Sequence, residues 1–523
     1  MRATTKTRMR KIRHRPLPLA WIIATTMGAA TTHAQGSDWA LSPSFKILET
    51  YTDNVALASQ GNERSDRITQ LSPGLDLTHQ GRRLKVKGDY TLNHVSYANS
   101  QVSASTFHEL NALANAELLQ DLFFFDARAS VNQHNASPFG PQSTNNLNLT
   151  NNRTEVRTFS VSPYMHKEFG QTASAELRYS HDYVTSSTAG LLQDNTDRIQ
   201  LNVNSGSVFR TFGWGFNYSN QTLHYRNASN VDLGSTSGTL RYLPSQEIAF
   251  SMTGGYEKNT YVSVSGKPAG TFWLAGVSWT PSPRTSIDAK IGNRFYGRTY
   301  ALASSHRTRY SVWSLGYQEE INTAQSMFAV PATLNTANFL DTLWKNSIPD
   351  PTARQQVIES FIQNTGLPTS VAQSVNILTN RVFLQKSLNG SVALNTAKTT
   401  LLVSLYNTSR EGQSPIQSDV TFVGPAQALL EDSTRQTGVN ATFNWRLTQK
   451  TALNLNAGDS RARSLSTGRT DKNKTASVSL TTVFQPKVKG SIEVRRRNQT
   501  STSNQNNGDI RENAVAASLL VSF

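Results

Sequence analysis

Residues able to do chemistry are sparse in this 523-residue chain, and none forms a recognisable catalytic set. His94 and Ser96 stand two apart, the spacing that puts a base and a hydroxyl on one face of a strand. A serine nucleophile also needs a group to orient its histidine, and no acidic partner can be assigned here. Gly234 and Gly238 frame Ser-Thr-Ser, but a threonine occupies the centre, so turn composition within a polar loop is the expectation. Glu319 and Glu320 are adjacent, and on a strand they point to opposite faces. The absence of cysteine excludes a disulfide framework, a cysteine-ligated zinc site and a thiol nucleophile. There is no His-Glu-x-x-His and no Walker loop. The expectation is therefore no enzyme, no cofactor and no resident metal.

The other candidate residues are basic. Lys85, Lys87, Lys487, Lys489, Arg495 and Arg497 recur at every second position in their segments, and their neighbours on the alternate face are apolar. Such residues need an element of period 2 to present them on one side. The segment 84–93 has that period, with Leu84, Val86, Tyr90 and Leu92 opposing Lys85, Lys87 and Asp89. Comparable alternation recurs at Ile199–Val203, Trp214–Tyr218, Ile248–Met252, Ala441–Leu447, Ala476–Leu480 and Val488–Val494. The alternating runs persist for roughly 10–13 residues, enough for a tilted strand to cross a bilayer. One face suits lipid and the other water.

The connections alternate as well. Very short turns are expected at Gln80, Leu119, Phe169, Thr211, Leu243, Pro281, Asn395, Thr448 and Gln485. Longer polar loops are expected at about 134–153, 184–196, 226–236, 408–433, 460–472 and 499–510. Short turns on one side and long loops on the other are the habit of outer-membrane barrels. The fold expected is all-β, a transmembrane antiparallel up-and-down β-barrel of about 22 strands (18–22). An even count requires three strands within 285–322, with turns near Gly297 and Arg307. One small helical insert is expected at 323–381 on the long-loop side. There Asp350 and Pro351 would start a helix, Val357, Ile358, Phe361 and Ile362 would form its apolar stripe, and Gly366 and Pro368 would end it. A folded extracellular cover and an inward plug are both open for this insert, and the cover is the blander reading.

Low charge (16%) and a modest apolar fraction (37%) fit strands shared between lipid and water. Residues 1–34 are expected to be a cleaved signal peptide, with a basic start, a short apolar core and Thr32-His-Ala34 before Gln35. Its loss would remove seven cations and no acid, taking the net charge from +16 to +9. The barrel would then occupy 35–523, in the outer membrane of a Gram-negative cell. Leu519, Val521 and Phe523, alternating to a terminal aromatic residue, resemble the C-terminal signal read by the outer-membrane assembly machinery. Export argues against nucleic acid as the partner of Arg495-Arg-Arg497, and at the outer end of a strand these arginines would meet lipopolysaccharide or rim a pore.

The stretches Gly292-Asn-Arg-Phe-Tyr-Gly297, Thr299–His306 and Val312–Glu320 resemble the PEP-CTERM system-associated outer-membrane β-barrel family, as do Tyr51–Val55 and the proline-containing insert. That family is uncharacterised and supplies no site residues. The resemblance implies a Gram-negative outer-membrane barrel linked to exosortase sorting and exopolysaccharide production, its molecular activity undefined. The leading expectation is a non-enzymatic export conduit or surface assembly factor, with exopolysaccharide or its export proteins among its partners. The alternatives are a general or substrate-specific porin and, remotely, an acyl hydrolase, since His94-Val-Ser96 is similar to the His-x-Ser of outer-membrane enzymes of that kind. Lumen-facing lysines would bias a channel toward anions. Exchanging Lys85, Lys87 and Lys489 for glutamate should then move the reversal potential in planar bilayers toward cation preference, and an unaltered potential refutes the bias.

Overall fold

In lipid the backbone has no water to bond with, so a strand-built span must close on itself. The computed structural model shows that closure. It describes residues 39–523 apart from 101, 144, 189–190, 192, 226–228, 503–508 and most of 330–374; the expected signal peptide and the expected helix ends at Asp350 and Gly366 lie outside the described residues. Twenty-two antiparallel strands form one sheet, each paired with its sequence neighbours, and β1 (Trp39–Thr52) pairs with β22 (Ile510–Ser522) to complete the ring.

The register carries the alternation around the wall. On β1, Trp39, Leu41, Ile47 and Tyr51 face outward, whereas Ser44, Lys46, Leu48 and Thr50 line the interior. Twelve residues at ~3.4 Å each, tilted by ~45°, separate Trp39 from Tyr51 by roughly 29 Å along the membrane normal, close to the span between aromatic girdles. Other outward aromatic residues fall near the same two levels. Phe212, Tyr242, Trp279, Trp313, Trp445 and Phe523 lie toward the short-turn end, and Tyr183, Tyr256, Trp273 and Tyr300 toward the long-loop end. The exterior is thus apolar and the interior polar, the inverse of a soluble core and the arrangement of an outer-membrane barrel.

The three-strand reading of 285–322 holds as β13 (Thr285–Arg294), β14 (Gly297–Arg307) and β15 (Ser311–Thr323). Gly297 adopts φ +110° where the tight β13–β14 turn returns, a conformation that favours glycine. Several polar segments expected as loop are strand instead. Gly234–Gly238 lies inside β10 (Val231–Tyr242), and β17 (Thr399–Gly412) and β21 (Val488–Ser501) run well into predicted loops. Strand pairing continues beyond the membrane, where both faces are wet and apolar alternation is no longer required.

The seam between β1 and β22 has its own clasp in the Tyr51–Val55 stretch. Asn54 is fully buried; its amide donates to the carbonyls of Ala58 (2.8 Å) and Arg511 (2.9 Å) and accepts from the Ala58 N–H (2.8 Å). Asp53 accepts from the backbone and side-chain N–H groups of Asn513. At the opposite end the Phe523 N–H donates to Pro43. Removing the amide in Asn54→Ala leaves buried backbone groups unpaired and should cost about 1–3 kcal/mol, measured as a lower urea midpoint for the micelle-embedded barrel.

Candidate functional site: the obstructed lumen

The chemistry of a barrel lies in what fills it. Three connections from the long-loop end turn inward and meet. The first, residues 136–152 between β5 (Phe123–Asn135) and β6 (Arg153–Phe169), crosses the mouth to the far wall. The Gly140 N–H donates to Asp471 (2.9 Å) on β20 (Thr470–Gln485), and Gln499 of β21 donates to the Gly140 carbonyl (2.6 Å). Arg497 donates to the Gln142 carbonyl and is fully buried there. Leu147 packs with Val55, Ile68, Val95 and Phe107, which ties the same loop to the first strands.

The second is the insert between β15 and β16 (Val382–Asn395). It begins with helix α1 (Ala324–Ala329), whose Ala324 and Phe328 pack with Val156, Val184, Leu191 and Leu378. The expected apolar stripe holds in part: Ile358 and Ile362 are buried with Leu340 against Val312 and Phe361 packs beside them, whereas Val357 is exposed. Val312 faces inward at the short-turn end of β15, and the Arg446 guanidinium at the same end of β18 (Ser433–Arg446) lies 5.7 Å from the Phe361 ring centroid. The described insert residues Leu340, Ile358, Phe361 and Ile362 therefore lie near the short-turn ends of β15 and β18, although the insert joins β15 to β16 at the long-loop end. That placement favours an inward plug over an extracellular cover. Sequence alone could not choose, because its apolar stripe needs a partner and Val312 is identified only by the register of β15.

The third connection carries helices α2 (Gln417–Val423) and α3 (Pro425–Asp432) between β17 and β18. Asp419 accepts from Thr379 and from the Asn380 N–H (2.9 Å), while Arg381 donates to Asp432 (2.7 Å) and to the Ser414 carbonyl (2.9 Å). Gln427 joins this connection to the first by donating to Ser137 (3.2 Å). No sequence signal marked these helices; the segment reads as polar loop.

Cavities remain between these connections and the wall, two of them of note. An outer one of about 520 Å³ lies among the three connections and includes Phe139, Asn151, Leu378, Gln427, Glu431 and Arg469. An inner one of about 860 Å³ lies against β1–β4 and β17–β22; its groups include Gln70, Asn93, Asn440, Asn456 and Ser477, with Lys46 and Arg495 offset by Glu109 and Glu493.

Arg495 thus lines the inner cavity, within 3.4 Å of Glu493 and 3.3 Å of Glu512. Arg497 shares its face but is locked under the crossing loop. Lys489 stands on that face too, and Lys85 and Lys87 share the face of Thr91 and Asn93, which line the cavity. Lys487 is on no strand face: β20 ends at Gln485 and β21 starts at Val488, so it sits in the exposed turn. Leu519 and Phe523 project outward at the short-turn end of β22, with Val521 between them on the same parity. His94 faces outward and bonds Thr106 (2.9 Å), with no carboxylate beside it among the described residues. Among the described residues no cluster of histidines and carboxylates has the geometry to hold a metal.

No protein-family model and no curated protein sequence matches the chain. Among solved structures it is similar to the siderophore receptor PirA from Pseudomonas aeruginosa, with 9% identity over 92% of this chain and 80% of that one and a TM-score of 0.44. The FrpB iron transporter from Neisseria meningitidis gives 9% identity, coverage of 92% and 81%, and a TM-score of 0.47. OpdO from Pseudomonas aeruginosa gives 10%, coverage of 92% and 97%, and 0.30. Values this low assign no ligand to this chain.

The junction of the connections contains a titrating group. Burial pushes the Glu431 carboxyl up to about 7, with Asp419 adding repulsion and hydrogen bonds from Ser137 and Gln427 opposing the shift. A carboxyl raised above its free value of ~4.3 favours the docked helix fully at acid pH. That contribution falls as pH climbs from ~4.3 to about 7 and is lost above it. Proteolysis of residues 413–432 in the intact barrel should therefore speed up between pH 5 and pH 8 relative to Glu431→Gln, in which the profile flattens.

Proposed function

We infer that the protein is a non-enzymatic, gated outer-membrane conduit for a neutral, polar, chain-like cargo. The observation that carries this reading is the packing of Leu340, Ile358 and Ile362 against inward-facing Val312 near the short-turn end, although the insert joins its strands at the long-loop end. An open diffusion pore gains nothing from an apolar-cored plug along its length, whereas a specific passage needs something to move aside.

The inner cavity supports the choice of cargo. Most of its lining residues carry an amide or a hydroxyl, and its cations are matched by carboxylates. The Thr50 hydroxyl and the Asn93 amide nitrogen have no partner among the described residues, though both are buried. Such a lining hydrogen-bonds a polyhydroxylated chain without selecting for charge. Exopolysaccharide is a cargo of that chemistry, in keeping with the resemblance of Gly292–Glu320 to barrels of the PEP-CTERM system. A substrate-specific porin for smaller polar solutes is the second reading, favoured by the modest size of the inner cavity. An acyl hydrolase has no support in the surroundings of His94.

The discriminating measurement is single-channel conductance in planar bilayers. The intact barrel should be closed or conduct in brief, small steps. Replacing residues 330–374 by a short Gly-Ser linker should raise the mean conductance at least fivefold. A barrel that conducts in neither form defeats every transport reading, and one that conducts equally in both defeats the gate.

A further inference from the structure

The exterior of the barrel carries a feature that passage through the lumen does not use. Just above the apolar band, on β18–β22, outward positions turn from hydrocarbon to cation. The register makes this explicit. Phe443, Leu455, Val478, Val494 and Val515 form one outward file, each paired with the next across the tilted sheet, that climbs from the short-turn end of β18 to the long-loop half of β22. Nearer the long-loop ends of their own strands Lys474 and Arg511 follow, Arg461 lies directly opposite Lys472, and Arg435 lies directly opposite Arg463. Arg496 sits at the lower border of this group.

Like charges placed directly across two strands destabilise the pair. Here two such pairs share β19 (Thr451–Ser464), and their side chains are exposed and form no ion pair with any described residue. Lys474 alone has an acidic neighbour, Asp459 at 3.7 Å. The rest of the rim differs. On β7–β9, Tyr179, His181 and His224 all converge on the Asp197 carboxylate, and Arg157 pairs with Glu155. Unpaired cations are concentrated on one arc, at the height of the outer-leaflet headgroups when the long loops face outward.

We propose that this arc of β18–β22 is a binding surface for a lipid bearing two or more phosphate groups, with Arg435, Arg461, Arg463 and Lys472 clamping the phosphates. Guanidinium groups pair phosphate oxygens in bidentate fashion. The acyl chains then lie on the apolar outward positions of the same strands, nearer the short-turn end. A phosphate bridging each like-charged pair turns mutual repulsion into shared attraction, which is why the pairs are tolerated.

The test uses the full barrel in neutral maltoside micelles, with bound lipid counted by native mass spectrometry. The probes are bisphosphorylated lipid A, monophosphorylated lipid A and phosphatidylglycerol. The wild type should hold bisphosphorylated lipid A, bind the monophosphorylated form severalfold more weakly, and bind phosphatidylglycerol weakest. The quadruple variant Arg435→Gln, Arg461→Gln, Arg463→Gln, Lys472→Gln should lose at least tenfold in affinity. Neutralising Lys258 and Arg298, outward cations elsewhere on the rim, should change nothing. In lipid-free micelles the quadruple variant should unfold at a higher temperature than the wild type, because the repulsion is gone; this also shows that it folds. Undiminished lipid A binding by the variant, indifference to phosphate number, or a lower unfolding temperature in lipid-free micelles overturns the assignment.

Discussion

Every feature of this molecule depends on the pairing of β1 with β22. A sheet in hydrocarbon cannot leave an edge, since each unpaired backbone group there costs several kcal/mol. Closure requires the first and last strands to meet in register, and from Ser44 opposite Ser522 to Thr52 opposite Ala514 they do. Once the ring is closed, side-chain direction is set by parity alone. Outward positions meet lipid, inward ones meet the contents of the lumen, and no third environment exists along the membrane-spanning wall. Asn54 and Asp53 reinforce this pairing just above the membrane, where water begins to compete for the same hydrogen bonds.

That two-way choice is why the wall was legible from the chain. A period of 2 sustained over a membrane-spanning length suits few folds besides a barrel, and demanding an even number of strands recovered the β13–β14–β15 arrangement from an ambiguous stretch. Legibility stopped where the constraint stopped. Above the membrane, β10, β17 and β21 continue as strands although Ser, Thr, Asn and Arg occupy both faces, so their polar ends read as loop. Arg495-Arg-Arg497 shows the value of parity in a single tripeptide: Arg495 and Arg497 point inward to different tasks, while Arg496 points out.

The contents of the lumen were the least legible part. The course of residues 136–152 depends on contacts such as Arg497 with Gln142 and Gly140 with Asp471, which join strands on different sides of the mouth. No local pattern encodes such a meeting. The insert announced an apolar stripe without naming its partner, and α2 and α3 announced nothing, because Gln417–Val423 and Pro425–Asp432 mix polar and apolar residues too evenly to stand out.

The bridging contacts also impose a chronology. The loop after β5 is anchored on β20, β21 and β22, elements that follow it by more than three hundred residues in the chain. A strand-by-strand assembly intermediate holding only the early part of the wall can seat Leu147 but has nowhere to fasten the Gly140–Gln142 stretch, and its seam is still parted. The crossing can be made fast only when the final hairpins arrive, so a partly built wall stays unobstructed and the obstruction is completed together with the ring.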